Sequence, residues 1–260
     1  MYGDGCRTGL SRRQSRLTTG HSVPRLQITP VSGTASELCQ VVGAVSRLIP
    51  LENTELPEEF FPAHLPVALI DAIFHSWLRH GEQPTPGAER YCRRFGVART
   101  RSDRWKLPPA DEQETLRDLI RHYDDFGVHA MTNEVFQTHR RIPGTKIRRT
   151  EGVLCAARVL RRIGVDVLQD VSPRRLSVFD NALQSLPGGG ECTVRRLLMY
   201  TGGDDFVLGD SHVRRFVANA VGRRSMSAAR AAALVRSAAY ELVVSPRFLD
   251  REIWRFGLSR

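Results

Sequence analysis

Leu186-Pro187-Gly188-Gly189-Gly190-Glu191-Cys192-Thr193, followed after a short interval by Leu208-Gly209-Asp210-Ser211-His212, is the stretch around which the chain is read. A polar and apolar run from Ser177 to Ser185 leads into it and a second run from Glu191 to Tyr200 leaves it, a pattern of helix, tight hairpin and helix. Three successive glycines permit positive φ and the close approach of another backbone, and a helix opening just beyond them points free N–H groups outward. Such a turn suits a phosphate, with the amides of Gly188 and Gly190 as donors. A further helix opens at Asp210 or Ser211, either of which can cap it, and carries Val213, Phe216, Val217 and Ala220 on its apolar face. The reading places a carboxylate beside the hairpin.

With their spacing, these residues resemble the helix-hairpin-helix DNA glycosylases of base excision repair, the endonuclease III-like (HhH-GPD) superfamily. Its signature is a Leu-Pro-Gly-x-Gly hairpin followed by an aspartate. The resemblance covers roughly residues 65–256, and Cys192 stands 18 positions before Asp210, as the family pattern requires. The upstream run from Lys146 to Leu160, with Glu151 and the small residues Ala156 and Ala157, is similar to the helix that precedes the hairpin in that family.

The resemblance implies an all-α fold of two helical subdomains flanking a cleft. Residues 65–206 would make a six-helix barrel-like subdomain ending in the hairpin, with 35–64 and 207–260 forming the second. The cleft would take a flipped base, with Asp210 at its mouth as the catalytic carboxylate. Hydrolysing an N-glycosidic bond develops positive charge on the deoxyribose, so a fixed carboxylate near C1′ stabilises that state or activates water. Gly188, Gly190, Thr193, Arg195, His212 and Arg214 are the candidate DNA contacts. His75, Ser76, Trp77 and Cys192 are the candidates for base pocket or wedge, with core packing an equal explanation for Trp77 and the same ambiguity at Tyr123 and Phe126.

Members of the family that also cleave the strand use a lysine just after the hairpin, where this sequence has Cys192. A thiol cannot form the required imine, and the only lysines, Lys106 and Lys146, lie outside the motif. The resemblance therefore implies a monofunctional glycosylase without lyase activity. Many members carry a four-cysteine iron–sulfur cluster near the C-terminus. No cysteine follows Cys192 here, so a divergent member without cluster, metal or other cofactor is expected. Glu191 departs from the basic or neutral residue usual at its position: it favours the helix N-terminus but repels a phosphate, and Arg195 and Arg196 can offset it. These departures keep a second reading open, a helix-hairpin-helix protein that grips duplex or damaged DNA without cutting it.

The totals agree with an anionic partner. The 260 residues carry a formal net charge of +10, with the positive charge almost all arginine. This implies an anionic partner, or an Arg-rich style of composition that gives the same balance; the resemblance implies that the partner is double-stranded DNA bearing a damaged or modified base. Five scattered cysteines without ligand spacing argue for a reducing compartment. With no signal-peptide core and no long apolar run, a monomer in the cytoplasm, associated with the nucleoid and not with a membrane, is expected.

Residues 1–34 are read as a disordered basic tail; Asp4 is its only acid, and Arg7, Arg12, Arg13 and Arg16 would suit a nucleic-acid-binding arm or an acid-poor transit peptide. Helical stripes follow over 35–48, 67–78, 86–95, 110–123, 128–138 and 148–163. The last is read as ending at a Gly164 cap, and a connection over 165–175 then leads into the hairpin. Beyond Asp210, an Ala-rich helix over 227–244 and a last one over 246–256 complete a chain with no convincing strand alternation.

Overall fold

The computed structural model describes residues 35–52, 55–75, 86–142, 144–184 and 191–259, with the backbone alone at Gln184, Glu191 and Cys192. The Gly188 and Gly190 amides, the side chain of Cys192, the residues Ser76 and Trp77, and the 1–34 tail therefore lie outside the described residues. The described chain is all-α, with ten α-helices and no strand; two isolated bridges pair Pro62 with Thr100 and Arg141 with Arg148.

Around a first core lie α2 (Leu65–His75), α3 (Gly87–Phe95), α4 (Leu116–Ala130), α5 (Arg149–Arg162), α6 (Leu176–Gln184) and α7 (Glu191–Tyr200). Every residue of α2 from Leu65 to Phe74 is buried, because this helix packs against α3, α5 and α7 at once. Phe74, Tyr91, Leu119, Phe136, Leu160, Phe179 and Leu197 fill the space around it. The second core is built from α1 (Ala35–Leu48), α8 (Ser211–Ala220), α9 (Ala228–Glu241) and α10 (Pro246–Leu258). Val41 and Val45 meet Val213 and Val217 there, and alanines 231, 232, 238 and 239 let α9 come close to α1 and α8.

One segment departs from the sequence reading. The acidic run Asp111, Glu112 and Glu114 does not open a helix at Ala110; it makes one 3₁₀ turn, and α4 begins at Leu116. Thr115 is the cap. Its side chain accepts from Asp118 N, and the Asp118 carboxylate accepts from Thr115 N at 3.0 Å, a capping box that outweighs the acidic first turn. Glu114 instead turns inward, where Tyr91 donates to its Oε1 at 2.8 Å. Helix α4 is bent at Gly127, whose φ of 77° no helical residue shares, and a π-helical turn over Met131–Val135 follows it.

The two cores meet at the end of α7. Arg247, from the first turn of α10, donates to Met199 O and pairs with Asp204 at 2.9 Å, while Arg101 reaches Tyr200 O at 3.4 Å. Arg101 thus reaches a carbonyl at the end of α7, and Arg247 adds a charged donor to Met199 O, which also accepts from Gly202 N at 3.3 Å. Both guanidinium groups also lie over the Phe61 ring, at 5.2 and 5.4 Å from its centroid.

Candidate functional site

Asp210 is the N-cap of α8. Its Oδ1 accepts from His212 N at 2.8 Å and from Val213 N at 3.0 Å, and Oδ2 carries no bond among the described residues. The approach to it is a tight turn. Gly209 has φ of 62°, and a Cβ placed there would lie 2.7 Å from Ala228 O, so the turn requires glycine on both counts. Leu208 immediately before it is tied to α10, its N–H donating to Asp250 Oδ1 at 3.0 Å.

Leu208 and Asp250 belong to the wall of a cavity of about 160 Å³ at the junction of the two cores. Asp71 and His75 enter it from α2, Arg196, Met199 and Tyr200 from α7, Asp250, Arg251 and Trp254 from α10, with Glu59, Phe60, Arg99 and Leu208 also in the wall. Phe60 and Tyr200 meet edge to face with centroids 6.0 Å apart. The cavity therefore combines aromatic faces with three carboxyls, Glu59, Asp71 and Asp250, and three guanidinium groups, Arg99, Arg196 and Arg251.

Burial decides the protonation of this set. Asp71 is pushed up to about 6, chiefly by loss of solvent, although Arg99 at 3.3 Å and the charge of Arg196 pull it down. Asp250, 3% exposed, is held well above the usual carboxylate range by burial and then by the negative charge of Asp210. His75 is pushed down to about 4 by burial, with Arg196 adding to the effect, so its ring is neutral at pH 7. Its Nδ1 lies 2.9 Å from Asp71 O and so carries the proton of the neutral ring. The Tyr200 phenol is raised to about 12 and stays protonated.

Of the other residues singled out in the sequence, His75 lines the cavity. Thr193 and His212 turn inward. Thr193 is 1% exposed, and His212 is buried at 8%, its ring edge to face with Trp254 at 6.5 Å and seated against Gly257. Arg195 is half-buried and donates to Val207 O at 3.0 Å, fastening α7 to the segment that carries Asp210. Arg214 is exposed. Its Nε donates to Met226 O at 3.0 Å, and with Arg215, Arg224, Ser211 and Ser225 it lines an open depression of about 220 Å³ beside the start of α8.

Two cavity residues carry no functional signal in the sequence: Asp71 sits within an apolar run, and Asp250 on a helix face whose neighbours Leu249 and Ile253 read as core. Arg196 reads with Arg195 either as an offset to Glu191 near the phosphate or as a solvated face, and the structure has it in the cavity wall. Arg196 is half-buried, and its Nε has no partner among the described residues. Only the pairing of Asp71 with His75 four residues later could have drawn attention, since that spacing puts both on one helix face.

The chain belongs to the family described as a domain of unknown function, DUF8548, whose model matches residues 39–258 and so spans both cores. No curated protein and no solved structure matches it.

Proposed function

We propose that the chain is a monofunctional DNA glycosylase with the helix-hairpin-helix architecture of the HhH-GPD superfamily, hydrolysing the N-glycosidic bond of a damaged or modified base flipped out of duplex DNA. One observation carries this reading. Asp210 is fixed at the start of α8 two residues beyond Leu208, and Leu208 and its partner Asp250 both line a cavity with aromatic and titratable walls.

The chemistry follows from what each group can do. The cap leaves Oδ2 of Asp210 for the positive charge that develops at C1′ or for an attacking water. The departing base needs a proton, and Asp71, pushed up to about 6, is a buried acid that supplies it from the cavity wall. Phe60, Tyr200 and Trp254 offer faces and edges on which a planar heterocycle packs. Neither Lys106 nor Lys146 lines the cavity, which favours hydrolysis over imine chemistry. The exposed arginines at Arg214, Arg215 and Arg224 suit the phosphates of the strand, with a depression between them.

A non-catalytic DNA-binding protein is the second reading, favoured by the cap itself: the two bonds that Asp210 makes would hold α8 in place in either case. Incubation of excess protein with duplexes carrying uracil, 8-oxoguanine, alkylated purines or thymine glycol, followed by hot alkali, separates them. Strand breaks that appear only after alkali and vanish in Asp210→Asn support the glycosylase. Tight binding to an abasic-site analogue without breaks on any substrate supports the second reading.

A further inference from the structure

We propose that Trp105 is a nucleic-acid-stacking residue, placed by a braced loop beside the cavity so that its indole meets a base of the bound duplex. The inference rests on the DNA partner of the preceding section and adds a contact surface to it.

The loop between α3 and α4 is held at many points. Ala63 N donates to Arg99 O at 3.1 Å and Arg101 N to Phe61 O at 2.9 Å, so the start of the loop is paired with backbone. Arg101, buried, donates to Arg104 O at 3.0 Å while its other nitrogen reaches Tyr200 O. Asp103 Oδ1 accepts from Trp105 N at 2.8 Å, which sets the backbone of the tryptophan itself. At the far end, the Gln113 side chain donates to Pro108 O at 2.9 Å.

On this framework the indole is 88% exposed. The ring of Phe61 carries the guanidinium groups of Arg101, Arg104 and Arg247 at 5.4, 5.6 and 5.2 Å, which further fixes the loop just before the tryptophan. A large apolar ring held outward on an ordered backbone has its conformational cost already met, which is what an aromatic contact residue requires.

The surroundings favour nucleic acid over a protein partner. Lys106 next to it is exposed, and Arg104 on the other side pairs at 3.0 Å with the largely exposed Glu55. The one acid in the loop tip, Asp103, spends its Oδ1 on the backbone. The start of the braced segment touches the cavity wall, through Arg99 directly and through Arg101 on Tyr200. An aromatic flanked by cations beside a base-sized cavity matches the combination of stacking and phosphate attraction by which proteins hold splayed or distorted strands.

Binding of a labelled duplex containing an abasic-site analogue, measured by anisotropy across a salt series, tests this with base release scored on the same proteins. Trp105→Ala should weaken binding roughly tenfold with an unchanged salt slope, and Trp105→Phe should restore most of the loss. Lys106→Ala should instead lower the slope by about one. Unchanged affinity in Trp105→Ala, with wild-type protein binding and releasing base, overturns the stacking role alone and turns this surface towards a protein partner. Absence of base release with the Trp105 effect intact overturns the glycosylase and leaves the stacking role standing. Failure of the wild-type protein to bind any duplex overturns both.

Discussion

Asp250 Oδ1 accepts the backbone N–H of Leu208 at 3.0 Å, so the last helix of the chain holds the turn that presents Asp210. Both groups are buried, and the carboxyl is kept protonated by its surroundings and by Asp210. Asparagine should therefore replace Asp250 with little loss, since its carbonyl still accepts from Leu208 and it has no charge to bury. Leucine leaves the Leu208 N–H unpaired, and urea denaturation should show Asp250→Leu less stable than Asp250→Asn by about 1–3 kcal/mol.

The same turn depends on Gly209. At φ of 62° with Ala228 O in the path of any Cβ, alanine has both a strained backbone and a collision with main chain that no side-chain rotation relieves. Gly209→Ala should cost about 2–4 kcal/mol in denaturant melts. Because the residue adjoins Asp210, base release should fall even at temperatures where the variant remains folded.

In the proposed mechanism Asp71 gives base release its pH dependence. A carboxyl acting as acid must hold its proton, and this one is pushed up to about 6 by burial, so kcat/KM should decline as pH rises through about 6. In Asp71→Asn that decline should disappear from a profile lowered about 10²–10⁴-fold, while the Kd for duplex stays near the wild-type value. A variant that keeps the wild-type profile removes Asp71 from the mechanism.

Glu114 offers a pH test of stability away from the cavity. Burial raises its carboxyl to about 7, against the lowering effect of the bond from Tyr91. A group raised on folding stabilises the native state below its unfolded value, about 4.3, and that contribution is lost as pH rises through about 7. His122 and His64 beside it are pushed down by burial and act in the opposite direction. They are common to both proteins in a comparison with Glu114→Gln, so the wild type should lose stability relative to the variant between about pH 4.3 and 7.

The elements were legible where local signals act alone. The stripe over Ala35–Leu48 and the start of α10 at Pro246 read directly from local signals, and of the two residues able to cap α8, Asp210 and Ser211, the structure uses Asp210. The start of α4 was misread because two local signals competed: Asp111, Glu112 and Glu114 favour a helix N-terminus electrostatically, while Thr115 and Asp118 hydrogen-bond it. The cavity was legible only in part. Asp71, Arg196 and Asp250 lie on α2, α7 and α10, more than fifty positions apart in every pairing, and what makes them chemically distinctive is burial created by packing. Periodicity identifies a helix face as interior; it does not show which interior position borders empty space.

If the Asp210 carboxylate faces positive charge at the sugar, binding alone reveals it, whatever the lesion. Transition-state mimics bind an enzyme more tightly than neutral analogues when the enzyme is complementary to the charge. Duplexes carrying a cationic pyrrolidine or a neutral tetrahydrofuran in place of one deoxyribose should be compared by equilibrium binding to wild-type protein and Asp210→Asn, a substitution that keeps the cap. Wild-type protein should prefer the cationic duplex by at least about tenfold, close to 1.4 kcal/mol, and Asp210→Asn should bind both alike. Equal binding of the two duplexes by the wild type, or an equal preference in both proteins, would contradict that role for Asp210.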